Sequence, residues 1–223
     1  MKLIYEHLED TISWKKEEVP VIIIENVNYK NKFINDLFLQ SKTNNDTPFY
    51  ISNEAINNDK LNFETIINPF ELNVNQVTIL NKIRKIYEEL IQEDYFKLSE
   101  LTKDISTYLN NLALSLPVSI EWEGNLNIKR LIQLFELSIL DDSTKLLEQI
   151  INYLQVNSQL GMSNLFVFLN LKQFLSQEEL DELYLFIQYE EIFLILIENQ
   201  NNETGNNSVE KQFIIDDDLC VIY

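Results

Sequence analysis

The chain predicts an α/β fold that carries an inserted helical segment, and three observations predict it. The runs Val19–Glu25, Leu165–Leu169 and Ile192–Ile197 are short, apolar and rich in β-branched or aromatic side chains, as expected of strands buried on both faces of a parallel sheet. A helix-period stripe separates the second run from the third, so the two bracket a βαβ unit. From Val74 to Leu116 nothing resembles a strand and the apolar spacing is helical.

Val19–Glu25 (VPVIIIE) reads as the first buried strand. Ile79, Ile83, Ile86, Tyr87 and Leu90 then mark one helix, and Leu98, Leu101, Ile105, Tyr108, Leu109, Leu112 and Leu116 mark a second. With a turn near Gln92–Asp94, these form an αα-hairpin whose edges Pro69 and Pro117 punctuate. The expected division is a discontinuous head, 1–70 and 117–223, with a leg, 71–116. A projecting pair of helices cannot bury both apolar faces alone, which favours oligomerisation through the leg. Beyond it, Asn127 is placed to cap a helix with Ile128, Leu131, Ile132 and Phe135 on one stripe. The stripe Leu146, Leu147, Ile150, Ile151 and Leu154 gives the next helix, capped from Asp142 or Ser143.

In the βαβ unit, Ser176 is the expected N-cap and Glu179 completes a capping box. Leu180, Leu183, Tyr184 and Ile187 form that helix's stripe. Asn199–Ser208 is a polar loop, and Phe213–Tyr223 returns as a last strand broken at Asp216–Asp218.

Composition bounds the chemistry. Apolar residues make up 45% of the 223 positions, enough for a substantial core. The formal charge is −19, from 17 Lys and Arg against 36 Asp and Glu. A balance of that sign suits a soluble acidic protein unless cations gather on one face or divalent ions neutralise carboxylates. The one cysteine, Cys220, excludes an internal disulfide and any multi-cysteine zinc site, and fits a reducing cytosol. It is expected to be a buried small side chain, and His7 a surface imidazole. No apolar run is long enough to span a bilayer, so no membrane partner is expected.

Catalytic motifs are missing. Val21–Ile24 runs into Glu25–Lys32 without the glycines of a phosphate-binding loop, and with them absent the backbone N–H groups cannot wrap a phosphate. No lysine has Asp or Glu two residues before it, which removes the Asp/Glu-x-Lys element of restriction-type nucleases. The expectation is a protein that is not an enzyme. One carboxylate pair is better placed. Glu121 and Glu123 lead into the Asn127-capped helix, and i and i+2 share a face in extended chain. With Asn125 and Asn127 they make a candidate hard-cation site for Ca²⁺. The plainer reading is a solvated strand edge. Basic residues fall in local pairs: Lys15/Lys16, Lys30/Lys32, Lys82/Arg84/Lys85 and Lys129/Arg130.

The order and spacing of several segments resemble a known family. They are Leu8–Ile12, Val21–Glu25, Phe70–Val74, Ile120–Glu123 with Ile128–Leu134, Leu165–Asn170 with Phe174–Glu179, and Phe213–Ile222. Together they resemble the accessory adaptation protein of type II-A CRISPR systems, over nearly the whole chain. The resemblance implies an α/β head like a P-loop NTPase without its phosphate loop, and an inserted α-helical leg. It implies a homotetrameric ring that takes double-stranded DNA ends through a basic channel and is stabilised by Ca²⁺ near the head–leg junction. It also implies partnership with the CRISPR integrase complex and the RNA-guided nuclease during spacer acquisition. Lys30, Lys32, Lys82, Lys85, Lys129 and Arg130 are then the candidate DNA contacts, and Glu121, Glu123, Asn125 and Asn127 the candidate Ca²⁺ ligands. The rival reading is a protein-only interaction scaffold on a degenerate nucleotide-binding fold, for which the acidic charge is the best argument.

Overall fold

The computed structural model describes residues 1–43, 48–52, 62–121, 127–199 and 209–222. Along the chain come β1 (Lys2–Tyr5), β2 (Ile12–Ser13), β3 (Val19–Ile24), α1 (Val27–Thr43), β4 (Phe49–Ser52) and β5 (Phe63–Ile66). The helices α2 (Val77–Glu93), α3 (Tyr95–Ala113), α4 (Ile128–Leu134) and α5 (Leu146–Gln159) follow. The chain closes with β6 (Leu165–Leu169), α6 (Gln177–Tyr189), β7 (Phe193–Glu198), β8 (Glu210–Ile215) and β9 (Val221–Ile222). Two compact units result: Met1–Asn73 with Asp141–Tyr223, and Val74–Leu140.

In the first unit the three apolar runs become neighbours in a six-stranded sheet, ordered β5-β6-β7-β3-β8-β9. All its pairings are parallel except β9, which runs antiparallel to β8 at the edge. Every residue of β3, β6 and β7 is buried, which is why, up to the Glu198 that closes β7, these strands read as apolar runs. The register sets Val21 against Leu196 and Val167 against Ile195.

Alternation sorts the side chains into two layers. On one face Ile22, Ile24, Val167, Ile195 and Phe213 pack with Phe33 and Leu37 of α1 and with a small antiparallel sheet, β2-β1-β4. Tyr5 stacks on Phe49 there, with ring centroids 4.2 Å apart. The antiparallel sheet and β5 were not foreseen from the sequence. Phe166, Phe168, Leu194 and Leu196 are the buried alternates, and α6 packs on β7. Ser176 and Glu179 cap α6 reciprocally, and its four foreseen stripe residues are all buried.

The cap of α5 differs from expectation. Lys145 is the N-cap, and Glu148 reaches back to accept from the amides of Thr144 and Lys145 at 2.9 and 3.2 Å. Ser143 instead closes a turn on Asp141, donating to its carboxylate from both Oγ and backbone N–H.

The second unit departs from a hairpin. A single residue, Asp94, joins α2 to α3, and its carboxylate accepts from the N–H of Lys97 at 3.4 Å. The helices do not pack along their lengths, and α3 buries no residue. What packs on α2 is α4, expected in the head but drawn into this unit. Asn75 fastens the unit's two ends by exchanging side-chain hydrogen bonds with the backbone of Ile139 at 2.6 and 3.0 Å. The unit therefore runs to Leu140, not to 116. Among the described residues no helix is long and apolar enough to cross a membrane.

Candidate nucleic-acid interface

The strand-to-helix connection after β3 is two residues long, Glu25 and Asn26. Asn26 turns the chain into α1 by accepting from the N–H of Tyr29 at 3.0 Å. A connection this short has no loop of amides with which to surround a phosphate. Lys30, one turn into α1, is half-buried and donates to Asn199 Oδ1. Burial pulls its ammonium below the ordinary lysine range, and Glu198 pulls the other way. Lys32 is exposed. Two residues apart on a helix, Lys30 and Lys32 point in different directions, so the structure splits this predicted pair.

Beside Lys30 lies a buried polar cluster that sequence reasoning missed. The ammonium of Lys172 meets the Glu210 carboxylate at 2.8 Å, with side-chain exposures of only 7% and 15%. The backbone N–H of Lys172 donates to Glu198 at 3.1 Å, and the hydroxyl of Tyr184 donates to Glu210 at 2.7 Å. Burial pushes the carboxyl of Glu198 up, and burial and then Glu210 push the phenol of Tyr184 up. One visible signal existed: a glutamate closing the otherwise apolar run of β7.

The second unit carries the other predicted cations. Lys82 is half-buried and Lys85 exposed on α2, and Lys129 and Arg130 are exposed on α4. α4 packs on α2, so the two elements that carry these four residues belong to one unit; α2 also carries Arg84, which donates to Asn81 at 2.9 Å. Charge is unevenly shared between the units. Positions 74–140 hold seven Lys and Arg against nine Asp and Glu, and the remainder holds ten against 27. The acidity of the chain therefore resides in the first unit.

Of the candidate cation ligands, Glu121 is exposed, and Glu123 and Asn125 lie outside the described residues. Asn127 caps α4 as foreseen, its side-chain oxygen accepting from the N–H of Arg130 at 3.0 Å. That oxygen is thereby committed to the helix. Among the described residues no group of three or more His, Cys, Asp or Glu side chains is arranged to hold a metal ion. Cys220 is exposed and not buried as expected, and the negative charge of Asp216 above all, with slight desolvation and Asp218, pushes its thiol up, away from nucleophilic use.

Against known protein families, the model described as CRISPR-associated protein (Cas_Csn2) matches residues 40–219, well over half of the chain. The chain belongs to the Cas_Csn2 family. No curated protein matches it. The matched span begins in α1 and runs through both units to the turn after β8, so it takes in β4 to β8 and α2 to α6, while β1, β2, β3 and β9 lie outside it. The glycine-free, two-residue link after β3 lies outside that span.

Proposed function

We propose that this protein is a non-enzymatic, sequence-independent binder of double-stranded DNA ends that acts as a homotetrameric ring in CRISPR adaptation, the acquisition of new spacers. Its partners in that role are the integrase complex and the RNA-guided nuclease of a type II-A system. The observation that carries the reading is the second unit. Its long helices present an apolar stripe that the unit does not cover, and cations gather on α2 and α4 while the acidity stays in the other unit. Strand order supports a P-loop-like head: β3 lies between β7 and β8, with β6 and β5 beyond β7. The short link after β3 argues against nucleotide binding there. The acidic first unit is what favours the rival, a protein-only scaffold.

A ring threads DNA topologically, so few phosphate contacts suffice and binding falls steeply with salt. Linear duplex is expected to bind at least tenfold more tightly than a relaxed, covalently closed circle of the same length in a gel shift at about 0.1 M salt. Equal affinity for the two forms would exclude threading, and no binding of either would favour the scaffold.

Ca²⁺ is proposed as the ligand of the 121–127 segment, with Glu121 and Glu123 supplying the carboxylates and Asn125 an oxygen. Asn127, already a cap, is the weakest contributor. Carboxylates held together repel, and a hard cation with oxygen preference offsets that cost. Calcium at about 100 times its dissociation constant is expected to stabilise the wild type by roughly 2.7 kcal/mol. The doubly substituted Glu121→Gln, Glu123→Gln protein is expected to lose that gain, and Mg²⁺ to substitute poorly. Thermal melts with Ca²⁺ and then EGTA check this; identical melts for both proteins leave the pair as a solvated edge.

A further inference from the structure

A cavity of about 240 Å³ opens in the first unit, between residues 14–19 and 187–194. Its floor is apolar: Trp14, Ile187, Ile192, Phe193 and Leu194 are each less than a tenth exposed. Its rim is charged. Lys16 pairs with Glu191 across it at 2.9 Å, and Gln188 donates to the backbone carbonyl of Glu17 at 3.1 Å. Glu18 pairs with Lys15. The carboxylate of Glu17 has no partner among the described residues, so the lining carries three carboxylates against one ammonium.

Size and charge together select the occupant. An apolar cavity of about 150 Å³ holds a benzene, whereas sites for whole small molecules run from roughly 300 Å³ upward. The volume here falls between, enough for one aromatic ring with its linking carbons. An apolar floor with an unpaired rim carboxylate suits a ring that arrives beside a positive charge. We propose that this cavity is a docking site for a partner-protein segment, and that the segment inserts one aromatic side chain between Trp14 and Ile187 while an adjacent Lys or Arg meets Glu17. The contacts closing the rim are exposed and therefore weak, so the mouth opens at little cost.

Trp14 reports on it directly. The chain has two tryptophans, and Trp122→Phe leaves Trp14 as the sole emitter. The full-length variant is titrated to about 5 mM with acetyl-Gly-Phe-Arg-Gly-amide, the same peptide with Glu for Arg, the same with Ala for Phe, and phenethylamine. The expected result is a saturable change of Trp14 emission with the Phe-Arg peptide, bound about tenfold more tightly than the Phe-Glu peptide, with no saturation by the Ala-Arg peptide. Glu17→Lys, an exposed substitution, is expected to erase the preference for Arg over Glu. No saturation by any peptide, or unchanged preference in Glu17→Lys, overturns the proposal. Phenethylamine binding as tightly as the Phe-Arg peptide overturns the partner-protein assignment in favour of a small amine.

Discussion

Leu101→Asp combined with Leu109→Asp is expected to reduce the proposed tetramer to a smaller particle while the first unit stays folded. In the isolated chain these side chains are 44% and 39% exposed, on a helix that buries nothing. They share a stripe with Leu98, Ile105 and Leu112, which recur at helical spacing. Substitutions at exposed positions alter a chain's own stability by about 0.5 kcal/mol or less. In an interface the same aspartates must give up water without a partner, at a cost of several kcal/mol each. Every 1.4 kcal/mol is tenfold in the association constant, so two charges per protomer lower it by about 10³-fold or more. Light scattering reads the mass, and a melt of the variant reads the first unit. A wild type that is monomeric at micromolar concentration, or a variant of unchanged mass, would remove the leg from the assembly. In the reduced particle, loss of the preference for linear DNA would connect assembly to threading.

What the sequence made legible follows from burial. β3, β6 and β7 are covered on both faces, so every residue but the closing Glu198 is apolar and the runs stand out. β5 is covered too, yet it contains Glu64 and Thr65. Glu64 accepts from the hydroxyl of Tyr153 at 2.6 Å, and a polar residue satisfied by a distant partner breaks the apolar pattern. β1 and β2 span four and two residues, too few for period-two alternation to be read. The leg failed as a hairpin for a different reason. Periodicity reports that a helix has an apolar face, not which surface covers it. Asp94 both ends α2 and caps α3, and one residue leaves no loop on which the chain could fold back. Of the candidate site, Asn127 was legible as a cap because capping is local. The Lys172 cluster and the cavity at Trp14 were not, because each joins residues far apart in sequence.

Lys172→Met is expected to destabilise the first unit by about 3–5 kcal/mol, the range for breaking a buried ion pair by removing one partner. The methionine fills similar space, so packing is nearly preserved and the charge is what changes. Without the ammonium, Glu210 keeps only the hydroxyl of Tyr184 and Glu198 keeps backbone donors, and two carboxylates share a largely buried site. Methionine at 172 still donates its backbone N–H to Glu198, so the loss isolates the ammonium. At roughly 2–4 °C per kcal/mol, the melting temperature falls by about 10 °C. The pH dependence has a definite sign. Burial already raises the carboxyl of Glu198 above its unfolded value. A raised carboxyl contributes stability below the unfolded pKa, near 4.3, and that contribution is lost as pH climbs through the folded value. Removing Lys172 raises the folded value further, so the deficit of the variant is smaller at pH 5 and larger at pH 8. Adding Glu210→Gln restores neutrality at the pair while leaving Tyr184 an acceptor, and is expected to recover part of the loss. Melts of the wild type and both variants at the two pH values check each step. A deficit that does not change with pH, or a second substitution that recovers nothing, would mean that Lys172 acts through packing and not through its charge.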